Sequence, residues 1–437
     1  MHADAAFTKV TLFISACAVS LPLIVFVALL ARGAYAWSEG RQLSPEIRAT
    51  VPFLQETGNI ARSLALGHGF GDLFRQGTGP TAWLTPVYPL LLAGVFRICG
   101  IFTSGSFTAA VILNIVFSAA TCVPIFFAGR KMAGVGVGAT AAWLWAFHPN
   151  AIIIPFQWIW DTCLTTLFAA LVFWLTLKIA ESTRVRDWCL YGLLWGATLM
   201  TDPALASLLA FLVGWAAYRA SPRWRQRAVI AALAVALTVL SCTPWTVRNY
   251  RHFHRFVPLR SAFPFALWLA HNHVWDPHAP WNARVTAYEQ NRKYQQLGEN
   301  RFMQEKWNEA IHFIRTHPHL ELELFVRRLV AFWAGIDFPL QRFLQTDSLQ
   351  DRGLILTNFL VALGTLAGLI VAWIRYREFA FPLTVCPVVF PWIYYFTQPY
   401  VRYRLPIDPV LLLLTALALN ALMRTATDLA RCRTAES

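Results

Sequence analysis

Long apolar runs alternate with short basic connections along most of this 437-residue chain. A helix needs roughly 20 apolar residues to cross a bilayer. Ten runs approach or exceed that length, at about 10–32, 106–128, 134–154, 160–179, 188–201, 203–218, 228–246, 354–373, 379–397 and 405–423. The first, within Phe7 to Ala34, shows no small-residue cleavage signature after a short apolar core, so it is expected to be a retained span. Two stretches resist this counting. "TPVYPLLLAGVFRICGIF", Thr85 to Phe102, is apolar, but a crossing there would invert Arg130 and Lys131; it predicts a helix lying at or dipping into the outer interface. "MTDPAL" sits in a pair of runs with only about 30 residues for two crossings, so Pro203 is expected to break a hairpin capped by Asp202.

Charge orients these spans. Arg130, Lys131, Lys178, Arg184 and the Arg219–Arg227 group follow alternate spans, as do Arg375, Arg377 and the arginines after the last run. Placing these connections in the cytoplasm satisfies the positive-inside rule and puts both termini there. The connection around Asp161, with no Lys or Arg between Lys131 and Lys178, then lies outside.

Composition strengthens this picture. Hydrophobic residues make up 57% and charged residues 14%, against about a quarter charged in soluble proteins. The expected class is an all-α polytopic membrane protein forming one integral domain over residues 1–437. The net charge of +14 is explained by arginines flanking spans; no basic tail or nucleic-acid-binding motif accompanies it, so no nucleic-acid partner is expected. The eight cysteines are scattered, mostly in apolar segments, with no CxxC or Cys/His spacing that predicts a metal site.

Two large outer pieces remain, residues 37–102 and 248–352, both expected to carry amphipathic helices. In the first, "ETGNIARSLALGHGF" opens with Glu56, predicts a short helix ending at Gly67, and includes Arg62 and His68. Its glycines permit a reversal towards the bilayer, which would wall off a pocket at the surface. Glu56 is a candidate acid, or a carboxylate complementing the helix dipole. Asp161, in "FQWIWDTCLTT", is a second candidate acid or the N-cap of the following span; Asp202 is equally well a cap. In the second piece, "GENRFMQEKWNEAIHFIRTHPHL" predicts amphipathic helices broken at Pro318, with Phe302, Trp307, Ile311 and Ile314 on or near one face. Arg248 and Asn249 in "TPWTVRNYRHF", and Arg402 and Arg404 in "QPYVRYRLPIDP", lie on the outer side, where short flanks are poor in cations. They suit an anion such as a phosphate, or interfacial snorkelling. Arg260, His271 and Asn272 extend the polar lining. Acids and arginines on one outer face fit an enzyme acting on a phosphorylated lipid, the acids supplying a base or holding a metal.

These pieces resemble the GT-C superfamily of polyprenyl-phosphate-sugar-dependent glycosyltransferases, nearest the bacterial branch of protein O-mannosyltransferases and the lipid A aminoarabinose transferase. The similarity runs in order through Glu56 with "IARSLALGHGF", then "GPTAWLTPVYPLLLAGVFRICG", "IWDTCLTT", "GLLWGATLMTDPAL", "PWTVRNYRHFHRFVPLRS", "RRLVAFWAG" and "RYRLPIDP". It implies a GT-C-like bundle of about ten spans in the bacterial cytoplasmic membrane, with the active site outside. Glu56 and Asp161 would be catalytic, Arg248, Arg402 and Arg404 would bind the donor phosphate, and Arg62, His68, Asp202, Asn249, Arg260 and Asn272 the substrates. Many relatives carry an Asp, or an Asp-Glu pair, in the first loop; here a single Glu follows Gln55, and Glu46 is the next candidate. The partners implied are a polyprenyl-phosphate-sugar donor, a lipid, glycan or protein acceptor, and membrane lipids. No cofactor is required by the sequence, and a divalent metal stays open. The rival reading is a transporter or flippase for a lipid-linked or anionic solute, which predicts inverted repeats and polar groups at the bilayer midplane.

Overall fold

The computed structural model describes residues 19–50, 53, 56–74, 77–272, 286–335 and 349–435, and the described residues form helices joined by short connections without a named strand. In chain order the helices are α1 (Leu21–Gln42), α2 (Pro45–Thr50), α3 (Glu56–Ala65), α4 (Val87–Cys99), α5 (Ser104–Ala120), α6 (Cys122–Ala133), α7 (Val135–Ala146), α8 (Pro149–Gln157), α9 (Thr162–Ile179) and α10 (Val185–Leu199). After a 3₁₀ turn at Pro203–Leu205 come α11 (Ala206–Ala220), α12 (Trp224–Phe253), α13 (Phe263–Ala270), α14 (Thr286–Thr316), α15 (Pro318–Ala334), α16 (Leu349–Arg375), α17 (Arg377–Val389), α18 (Trp392–Tyr395), α19 (Val401–Arg404) and α20 (Asp408–Ala435).

Seven of the helical segments are long and apolar enough to cross a bilayer, eight if the bent pair α7–α8 forms one span. The chain is thus an all-α, multi-pass integral membrane protein. The count falls short of the ten expected because two runs make shorter helices. α10 has 15 residues, and α17, with Pro382 and Pro387 inside it, has 13. Neither alone matches a hydrocarbon core of about 30 Å at 1.5 Å rise per residue, yet α10 carries the chain from Arg184 back to Asp202, which lines the same cavity as Asp161. α4, at 13 residues, is likewise too short to cross. The first span begins at Leu21 and runs to Gln42, ten residues past the expected end; residues 10–18 of that run lie outside the described residues.

Small residues set the closest helix contacts. A Cβ on Gly192 of α10 would stand 2.5 Å from the Ala234 carbonyl of α12, and one on Gly368 of α16 would stand 2.1 Å from that of Leu414 in α20. Each belongs to a Gly-xxx-Gly pair, Gly192/Gly196 and Gly364/Gly368, whose missing side chains let backbones approach in a medium with no hydrophobic drive between helices. The 43° bend between α7 and α8 frees carbonyls that lipid cannot satisfy. Buried Arg32 of α1 fills the gap, donating to the carbonyls of Ala146 (3.1 Å), Trp145 (3.2 Å) and Ala28 (2.9 Å) and to Ser118 Oγ (2.8 Å).

Candidate active site

The segment opening at Glu56 makes one wall. α3 ends in a Schellman turn: His68 N–H donates to Ser63 O (2.9 Å) and Gly67 N–H to Leu64 O (3.1 Å), with Gly67 at φ +83°. The chain then folds back and is fixed at several points. Asn59 Nδ2 donates to Leu73 O (3.0 Å), Gly71 bridges Pro80, and Thr85 Oγ1 donates to Thr201 O (2.7 Å) beside the "MTDPAL" turn. Buried Glu299, just after the break in α14 at Gly298, joins this wall to the next. Its carboxylate accepts from Thr81 Oγ1 (2.5 Å), Ala82 N–H (2.9 Å), Ser261 Oγ (2.6 Å) and the Tyr294 hydroxyl (2.7 Å).

Between these walls lies a cavity of about 290 Å³ that Glu56, Asp161, Asp202, Arg260 and Arg402 all line. Asp161 immediately precedes α9 with αR backbone angles, and its side chain makes no capping hydrogen bond. Its carboxylate is therefore not committed to starting the helix. The turn that carries it is held by Asn114 of α5, whose Nδ2 donates to Trp158 O (3.2 Å) and whose Oδ1 accepts from Tyr88 (2.9 Å). Asp202 has two tasks: it caps the 3₁₀ turn through Ala204 N–H (3.0 Å) and lies 3.9 Å from Arg260 Nη1.

Arg402 is enclosed by aromatic rings. Its guanidinium carbon lies 4.2 Å from the Trp158 ring centre and 4.9 Å from those of Trp160 and Tyr403. Nη2 donates to the Tyr403 hydroxyl (3.0 Å), but Nε and Nη1 are buried without a hydrogen-bond partner. Thr165 Oγ1, on the same cavity, is also buried and unpartnered. Buried donors left unpaired are costly, and all three of these belong to residues that line the same cavity.

Burial and charge shift these groups in opposite directions. Loss of water raises the Glu56 carboxyl above its ordinary value, its own backbone N–H and Arg402 opposing. Loss of water, then the neighbouring Asp202, pushes Asp161 up to about 7, with Arg260 and Arg402 opposing. For Arg260, burial lowers the pKa but the acids, Asp202 foremost, outweigh it and leave the guanidinium held above its usual value. Arg402 follows the same course, raised chiefly by Tyr403. The cavity thus holds two acids of raised basicity beside two permanent cations.

The other sequence-predicted residues do not line this cavity. Arg248 binds the first loop, Nη1 to Thr81 O (2.6 Å) and Nη2 to Phe70 O (2.7 Å), and lies over the Trp245 ring. Asn249 donates to Val257 O (3.1 Å) and Asn272 to Trp268 O (2.9 Å), each closing a local turn. Arg404 is consumed by Asp408, Asn358 and Trp333 O. Arg62 is half-buried in the last turn of α3, and His68 and Glu46 are exposed. His271, expected to extend the polar lining, is buried against Glu321 and Arg328 instead. Glu299, Asn114 and the rings around Arg402 were missed; the signal available for Asn114 was a lone amide in the apolar run "VILNIVF". Among the described residues no group of three or more His, Cys, Asp and Glu is placed to hold a metal ion.

No family model matches the sequence, and no curated protein is similar to it. Solved structures are. The oligosaccharyltransferase of Archaeoglobus fulgidus in its apo form superposes with a TM-score of 0.57 at 12% identity, over 95% of this chain and 52% of that one. The archaeal oligosaccharyltransferase AglB from the same organism, in complex with an inhibitory peptide and a dolichol-phosphate, gives 0.56 at 14% identity, over 95% and 51%. ArnT from Cupriavidus metallidurans bound to undecaprenyl phosphate matches more loosely, with a TM-score of 0.41 at 12% identity over 91% and 77%. The chain spans about half the length of the oligosaccharyltransferases, 52% and 51%. Nearly all of it superposes on them, and by that likeness this chain has the GT-C fold.

Proposed function

We propose that the chain is an inverting glycosyltransferase that moves a sugar from a polyprenyl-phosphate-linked donor to an acceptor hydroxyl or amine. The observation that carries this reading is the joining, in one cavity, of Glu56 and Asp161 with an arginine whose Nε and Nη1 are buried and unpartnered. Glu56 takes the acceptor proton as the acceptor attacks the anomeric carbon; the bond from that carbon to the phosphate oxygen breaks on the opposite face. Polyprenyl phosphate leaves as an anion, so no general acid is needed. Arg402 supplies the free donors for it and Arg260 a second cation. Asp161, titrating near neutrality, holds the acceptor. Arg248 and Arg404, whose donors are taken by the protein, position the loops instead.

The AglB structure with a dolichol-phosphate supports a lipid-phosphate donor for this fold. The distribution of basic connections supports a cavity open to the side of the membrane away from the cytoplasm. The test is transfer of labelled sugar from polyprenyl-phosphate-sugar in membranes carrying wild type, Glu56→Gln or Asp161→Asn. Loss of transfer in Glu56→Gln is expected. Equal turnover in all three rejects the site, and passage of the intact donor across the membrane with no transfer favours a flippase.

A further inference from the structure

A second cavity, of about 340 Å³, adjoins the first, and Arg260 lines both. Consecutive residues separate them here, with Phe263 facing the first and Pro264 the second. The polar side chains on the rest of its lining are Arg255 and Ser261 with Asn300 and Gln304 of α14; Trp307 and the Phe256–Pro258 stretch supply apolar surface. This volume falls in the range of small-molecule sites.

Its chemistry is specific. α14 buries Phe302, Met303, Lys306 and Ala310, but Trp307, expected from the sequence on or near that same face, is 38% exposed and turns to the cavity. Asn300 Nδ2 donates to Phe253 O (2.8 Å), Gln304 Nε2 to Asn308 Oδ1 (3.2 Å) and Arg255 Nη2 to Gln304 Oε1 (3.5 Å), which holds this cluster together. An aromatic face flanked by two amide side chains suits a sugar ring, whose apolar face stacks while its hydroxyls exchange hydrogen bonds with them. The charge around it is one-sided. From Arg248 to Arg260 the chain carries four arginines, two histidines and no acid. Arg251, His252, His254 and Arg255 are exposed, and Arg301 of α14 is exposed too. The nearby acids are engaged: Glu299 by its four donors, Glu305 of α14 by Lys293, and Asp202 by Arg260 (3.9 Å) on the side of the first cavity. A concave site inside such a field concentrates anions.

We propose that this second cavity is the acceptor subsite, and that it takes a sugar bearing an anionic substituent. Trp307 stacks the ring, Asn300 and Gln304 meet its hydroxyls, and Arg255 meets the charge, with Arg260 on the side shared with the catalytic cavity. The proposal rests on the glycosyl-transfer reading for its role and on the cavity alone for its ligand.

The full chain in detergent, titrated with glucose 6-phosphate, glucuronate, glucose and inorganic phosphate and followed by ligand-observed NMR, tests it. The two anionic sugars are expected to bind wild type and Glu56→Gln alike, about 10-fold or more tighter than glucose or phosphate, as one charge-assisted hydrogen bond would give. Arg255→Ala should reduce them to the level of glucose, and Trp307→Ala should weaken all three sugars. Failure of either anionic sugar to bind wild type, unchanged binding in both variants, or phosphate binding as tightly as glucose 6-phosphate would overturn the proposal. Transfer from labelled polyprenyl-phosphate-sugar separates the two claims. An inactive Glu56→Gln with failed binding sinks only the subsite; a fully active Glu56→Gln sinks the catalytic reading and, with it, the acceptor role of this cavity.

Discussion

Arg402 and Arg404 stand two residues apart in one short helix, yet they live in opposite circumstances. Arg404 is 1% exposed and saturated: Nε meets Asp408 (2.8 Å), Nη1 the Trp333 carbonyl (2.7 Å) and Nη2 Asn358 (2.5 Å). Asp408 in turn lies 3.1 Å from His148, and Asn358 accepts from Asn150 (2.9 Å). That network ties α7–α8, α15, α16 and α20 together. Arg402 is set among aromatic rings, with two nitrogens that have no hydrogen-bond partner. Both are charged, both lie beside the same span, and the sequence treats them alike. What separates a cation that holds the fold from one available to a ligand is whether its donors are already answered.

Several substitutions break or sharpen this contrast. The largest effect is expected on the cavity side: Glu56→Gln lowers transfer by about 10²–10⁴-fold, the usual worth of a general base, while its melting temperature in detergent stays at the wild-type value. Arg404→Met does the reverse. It leaves Asp408 buried without its cation and should cost about 3–5 kcal/mol in denaturant unfolding. Arg402→Lys keeps the charge but loses the planar fork, so donor affinity should fall about 10–100-fold, the range for hydrogen bonds to charged groups, with no loss of stability.

pH offers a gentler probe. Glu56 must be ionised to act and its carboxyl is raised by burial, so kcat should fall on acidification with a midpoint above the ordinary glutamate value of about 4.3. Asp161 has its folded-state pKa raised to about 7. The folded protein therefore binds that proton more tightly than the unfolded chain, and stability should decline as pH rises from about 4 to 7. Asp161→Asn should flatten this slope in melting curves across that range. At the small end, His68→Ala and Glu46→Gln, at exposed positions, should change stability by no more than about 0.5 kcal/mol and leave transfer untouched.

How much of this was legible in the chain follows from the reach of each signal. The short helix from Glu56, its stop at Gly67, the break at Pro318 and the stranded carboxylate at Asp161 are all local, and periodicity and cap chemistry expose them. Partnerships are not local. Glu299 meets Thr81 across 218 residues and Arg404 meets Trp333 across 71, so nothing around either residue announces whether it is satisfied. Hence three outer-side cations, Arg248, Arg402 and Arg404, looked comparable, and only the fold divides them. Trp307 illustrates the same limit within one helix. Spacing places it on or near the apolar face, but the break at Gly298 and the burial of Lys306 beneath Trp268 turn it outward. Helix length was partly illegible for a different reason. Hydropathy reads apolar length, whereas Pro382 and Pro387 and the turn at Pro203 cut helices to lengths that hydropathy does not register.

The clasp formed by Glu299 gives the protein an adjustable ceiling whose fastening is out of reach of whatever lies beneath it. Trp83 and Leu84, continuous with Thr81 and Ala82, and Ala262, next to Ser261, take their heights from one carboxylate that never borders the chamber. A change in side-chain length at Glu299 on α14 therefore shifts the wall of the chamber while every residue inside it stays the same.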